Sequence, residues 1–172
     1  MENLGGRPAI AAMNRPRAYY GSMHRLFIAF AVALLAAGPA AATDKSDVMS
    51  VVHQWVDSFD KGDLKSMAAT CTDDASIIDD FPPHEWHGPG TCARWSSDFQ
   101  DFAKAGDITA PFVTLGKPWH VDITADRAYV VAPTKFSYKQ KGSPVLEQGI
   151  VVIAMQKGAA GWHITGWAWA DH

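Results

Sequence analysis

Between Thr43 and Asp60 the apolar residues Val48, Val52, Trp55, Val56 and Phe59 recur at three- and four-residue steps among polar ones, behind the capping-type residues Asp44, Ser46 and Asp47. That period predicts an amphipathic helix with one buried stripe. Gly62 supplies a stop and Asp63 a new cap, and Leu64, Met67, Ala68 and Cys71 continue a second, shorter helical face. After Thr72-Asp73-Asp74 the period changes. Ala75 to Asp79 reads as a short strand, Phe81-Pro82-Pro83 as a turn, and Glu85 to His87 as a second short strand stopped by Gly88-Pro89-Gly90. Thr91 caps a third helix, whose Cys92, Trp95, Phe99 and Phe102 share a face and which Gly106 closes. From Phe112 onward the pattern is β, with long strands at Val113 to Ile123, Arg127 to Lys139, Val145 to Gln156 and Trp162 to Ala168. Links this short imply antiparallel pairing, because a parallel pair needs a crossover of a dozen or more residues. Pro133 cannot donate to a ladder and predicts a bulge or an edge. The result is an α+β fold: three N-terminal helices packed on a strongly curved, mostly antiparallel sheet of two short and four long strands.

The first 42 residues follow another pattern. The apolar run Leu26 to Ala37 is too short to cross a bilayer as a helix, which takes roughly 20 residues. Arg7, Arg15, Arg17 and Arg25 precede it and Gly38-Pro39-Ala40-Ala41-Ala42 follows, the layout of a cleaved secretory signal. Cleavage is expected after Ala42, with Met23 an alternative start, leaving one domain over residues 43–172 in a periplasmic or secreted location. Loss of the leader's four arginines and one glutamate takes the formal charge from −3 to about −6. Such a domain repels nucleic acid and anionic membrane surfaces, and neither is an expected partner. In an oxidising compartment Cys71 and Cys92 are read most simply as a disulfide, with two buried free thiols as the alternative.

The order of elements resembles the NTF2-like superfamily, which includes the SnoaL-like polyketide cyclases and ketosteroid isomerase. The residues that carry the resemblance are Val52 to Leu64, Asp73-Asp74-Ala75-Ser76-Ile77-Ile78-Asp79, His87-Gly88, and Gly161-Trp162-His163-Ile164-Thr165-Gly166-Trp167. It implies a cone: a curved sheet and helices around an inner pocket, often in a homodimer built across the sheet face. It does not imply a reaction, since one fold hosts many. The isomerase's general-base aspartate corresponds to Asp79. Its catalytic tyrosine falls at Trp55, and its second oxyanion donor falls among Val151, Val152 and Ile153, which offer no hydrogen bond. Ketosteroid-type isomerisation is therefore not expected.

Asp79 is the leading catalytic candidate, as a base whose pKa burial would raise, unless it only caps the Phe81-Pro82-Pro83 turn in solvent. His87, across the predicted hairpin, could complete an acid/base pair with it. The cluster from Asp79 to His87 is rich in His and carboxylates, but its two prolines prevent the helix that would align metal ligands, so no metal is assigned. No Gly-rich strand-to-helix loop is present for a nucleotide or flavin, and no cofactor is expected. Trp55, Phe59, Trp95, Phe99 and Trp167 are candidate walls for a small apolar or aromatic ligand. Glu147 joins them if its strand face turns inward and is an ordinary solvated residue if not. Trp167 and Trp169 alternate opposite to Trp162 unless Gly166 allows a bulge that reverses the alternation. Three functions stay open: a cofactor-independent isomerase, dehydratase or cyclase; a binding protein; and an accessory or assembly subunit with a filled cone.

Overall fold

The computed structural model describes residues 43–171, and the leader and its cleavage site lie outside them. Residues 43–60 form helix α1, whose stripe of Val48, Val52, Trp55, Val56 and Phe59 is buried as the spacing requires. Gly62 turns the chain at a φ of 69°, and Asp63 caps α2 (Leu64–Ala68) by accepting the Ser66 N–H at 3.0 Å. Cys71 does not continue that helix. The Thr70 hydroxyl donates to the Met67 carbonyl, the Thr70 carbonyl takes the Ile164 N–H, and the chain passes directly into strand β1 (Cys71–Ile78). Strand β2 is only Glu85–Trp86, and α3 spans Thr91–Ala105. Its cap position is Gly90, with Thr91 inside the first turn and its hydroxyl bonded to the Gly88 carbonyl at 2.6 Å.

The run expected as one strand from Val113 to Ile123 is two, β3 (Ile108–Leu115) and β4 (His120–Thr124). Both pair with β5 (Arg127–Gln140), one after the other along the same edge. Pro133 explains the break. It lies where β5 changes partner: its carbonyl takes the Gly116 N–H at 2.8 Å, and the donor it lacks is not needed there. It is thus neither at an outer edge nor in a bulge with β6 (Ser143–Gly158), against which β5 pairs without interruption. Strand β7 (Gly161–Asp171) completes a curved sheet of order β2-β1-β7-β6-β5-β3. All pairs are antiparallel except β1 with β7.

The bulge that Gly166 permits is present. Ala154 pairs with Gly166 and Met155 with Ile164, so Thr165 is the extra residue. Trp162 and Ile164 before it, and Trp167 and Trp169 after it, therefore share the concave face. A Cβ on Gly166 would stand 2.7 Å from the Ser76 carbonyl oxygen, on rigid backbone. Gly166→Ala is expected to destabilise the domain by about 1–3 kcal/mol, read as a lower thermal midpoint.

Cys71 and Cys92 form a disulfide, joining the start of β1 to the first turn of α3. A second tie runs from the Trp86 indole to Asp98 at 2.7 Å. At the end of α1, Asp60 accepts the Val113 N–H at 2.7 Å beside the irregularity at Ala110 in β3. Together these hold the helices over the concave face of the sheet.

Candidate functional site

Between the helices and the concave face lies a cavity of about 160 Å³. Its walls are aromatic: Trp55 and Phe59 from α1, Phe81 from the turn after β1, Trp95 and Phe99 from α3, Phe136 from β5, and Trp167 from β7. The rings brace one another, with Trp95 stacked on Phe99 at 5.4 Å and edge-on to Trp167 at 5.0 Å. Trp55 meets Trp167 at 5.2 Å. A cavity of about 150 Å³ with apolar walls accommodates benzene. The space therefore fits one ring.

Asp79 opens on this cavity. It is placed there by the turn from residue 79 to 84, in which the Asp79 N–H bonds the His84 carbonyl and the His84 N–H bonds that of Phe81. The turn is not a solvent loop. Phe81 is only 4% exposed and packs against Trp86, Trp95, Phe99 and Phe102, which draws the neighbouring carboxyl inward. One carboxyl oxygen accepts the Trp95 indole N–H at 2.8 Å and the other the Asp80 backbone N–H at 2.9 Å. Burial dominates these two favourable bonds and pushes the Asp79 carboxyl up to about 7, the Asp80 charge adding to the rise. The group therefore exchanges its proton near neutrality. Trp95→Phe keeps the wall but removes one donor to the ionised form, so the Asp79 pKa is expected to rise further by about one unit, as measured by carboxyl NMR.

The Asp79–His87 pair suggested by the hairpin is not formed. The His87 side chain is 71% exposed and faces Glu85 at 3.4 Å, on the outside of β2. The strand ends one residue before His87, which leaves that ring in solvent. The other candidates are brought together: Trp55, Phe59, Trp95, Phe99, Glu147 and Trp167 all line the same space as Asp79. Glu147 turns inward and accepts the Tyr138 hydroxyl at 2.6 Å. Burial, then that bond and the Glu147 charge, push the Tyr138 phenol up to about 12. Trp55 and Trp167 carry buried indole N–H groups with no partner among the described residues. Among the same residues no group of three or more His, Cys, Asp and Glu is arranged around a metal position.

Trp169, whose facing the sequence left open, also lines the cavity, and so do Asp80, Phe81, Phe136 and Tyr138, which were not candidate wall residues from sequence. The two-residue step Thr134, Phe136, Tyr138 in β5 was the available signal, and it sits directly across from Glu147 in the register.

The family profile of the SnoaL-like domain matches residues 48–168. The chain belongs to the SnoaL-like family. Its fold is that of the NTF2-like superfamily. An NTF2-like protein with a cystatin-like fold from Novosphingobium aromaticivorans superposes with a TM-score of 0.66 at 15% identity, over 80% of this chain and 87% of that one. An NTF2-like superfamily protein from Salmonella enterica serovar Typhimurium gives 0.64 at 15% identity, over 76% and 92%. A ketosteroid isomerase-like protein from Erwinia carotovora atroseptica gives 0.59 at 17% identity, over 73% and 94%. At such identities the likeness is one of fold. No curated protein matches the sequence.

Proposed function

We propose that this SnoaL-like domain is exported, holds a small one-ring molecule in its cavity, and uses Asp79 to accept and return a proton. The chemistry would be a cofactor-independent isomerisation, dehydration or cyclisation. The observation that carries the reading is a carboxyl poised near pH 7 at the wall of an aromatic hollow. Desolvation makes the ionised Asp79 a stronger base than a surface aspartate, and the Trp95 N–H fixes the oxygen that does not take the proton. A hollow of this size speaks against a cone filled by its own side chains. The Cys71–Cys92 bond supports an oxidising compartment, in line with the leader.

A binding-only reading is favoured by one observation: with His87 outside, the side chains acting on the Asp79 carboxyl among the described residues are the Trp95 indole and the Asp80 carboxyl, with no histidine or lysine beside them. Titration of tryptophan fluorescence with one-ring aromatic compounds, followed by turnover assays on those that bind, separates the two. Under the catalytic reading Asp79→Asn binds as the wild type does and loses turnover by about 100-fold or more. Equal turnover by the variant would remove Asp79 from the chemistry, and no fluorescence response to any ring would remove the ligand.

A further inference from the structure

The two ends of the cavity favour different chemistry in a ligand. At the inner end Trp55 and Trp167 are 8% and 6% exposed and pack ring against ring at 5.2 Å, so this end takes an apolar ring. At the mouth stand exposed Asp80 and the half-buried Tyr138–Glu147 pair, joined at 2.6 Å. Trp169 lies flat over Gly149, two residues along the same face of β6 from Glu147; a Cβ on Gly149 would sit 2.5 Å from its ring. Glycine thus lets an indole face lie beside the carboxylate.

Among the described residues that line the cavity there is no Lys, Arg or His; its titratable groups are Asp79, Asp80, Tyr138 and Glu147. An entering anion meets carboxyls with no counter-charge. A protonated amine meets those carboxyls together with the π faces of Tyr138 and Trp169, the combination that recognises ammonium groups. We infer that the ligand is a one-ring arylalkylamine: its ring packs among the aromatic walls, and its ammonium lies at the mouth against Glu147, Asp80, Tyr138 and Trp169. This rests on the reading of the cavity as a ligand site and adds the ligand's charge and polarity to it.

Isothermal titration calorimetry of the domain at neutral pH with three probes of one size tests it: tyramine, 4-ethylphenol and 4-hydroxyphenylacetate. Tyramine is expected to bind about tenfold more tightly than 4-ethylphenol, and the carboxylate more weakly than either. In Glu147→Gln, with its fold checked by circular dichroism, the tyramine to 4-ethylphenol ratio is expected to fall toward one. If 4-ethylphenol binds as tightly as tyramine, or if the ratio survives Glu147→Gln, the amine assignment is overturned while the cavity stands as a ligand site. If none of the three binds, both readings are overturned.

Discussion

Asp79→Asn removes a pH dependence of stability that the wild type carries between about pH 4 and pH 7. In the unfolded chain the carboxyl titrates near 3.8, and in the folded domain burial pushes it up to about 7. Between those values the native state holds a proton that the unfolded state has released, so wild-type stability falls as pH rises. The contribution is fully present below the unfolded value and is lost by the time pH passes the folded one. A rise of this size corresponds to about 4 kcal/mol across the window. Other carboxyls add their own terms: burial raises Asp60, in the same sense, the bond to Ser66 holds Asp63 below its ordinary value, in the opposite sense, and such terms are common to both proteins. Chemical denaturation of wild type and variant at several pH values therefore isolates Asp79 in the difference. That difference is expected to move steadily in favour of Asn from pH 4 to pH 7 and to level off above. A constant difference would mean that the carboxyl is solvated.

Reduction of the Cys71–Cys92 bond is expected to cost about 3 kcal/mol, from the chain-entropy value for a closed loop of this order; the two cysteines are 21 positions apart. For a domain of this size that corresponds to a thermal midpoint lower by roughly 10 °C. The loop contains Asp79 itself, and its two ends lie on the strand that leads to Asp79 and the helix that carries Trp95. Reduction should therefore also slacken the Asp79–Trp95 contact and weaken binding of any ring in the cavity. Differential scanning calorimetry with and without reductant, with the Cys71→Ser, Cys92→Ser double variant as a control, measures the first effect. An unchanged midpoint would show that packing alone holds β1 to α3.

Much of the architecture was legible because the residues that set it act locally. The stripe of α1 has a clean helical period, Gly62 and Asp63 punctuate the chain by their own backbone and capping chemistry, and the short links after Ala125, Gln140 and Lys157 leave antiparallel pairing as the outcome. What local pattern could not specify depended on partners far along the chain. Pro133 marks a change of neighbour on one edge of β5, which no local reading separates from a bulge or a free edge. Gly166 permitted either facing of the last strand, and the close approach of Ser76 on β1 accompanies the one adopted. The site shows the same division. Asp79 and Trp55 were reached through the family resemblance and Phe59, Trp95 and Phe99 through helical spacing, Glu147 and Trp167 were left with their facing open, and Phe81 looked like part of a Pro-rich surface turn. Its burial under Trp86, Phe99 and Phe102 is a tertiary event, and it turns Asp79 from a turn residue into a cavity residue. His87 failed as a partner because β2 ends at Trp86.

The account depends on the Asp79 carboxyl facing the hollow rather than bulk water. Carboxyl-detected NMR titration of the domain, with the Asp79 resonance assigned by its loss in Asp79→Asn, measures this directly. The account predicts a midpoint near pH 7, and a midpoint in the ordinary aspartate range, about 3–4.5, would contradict it.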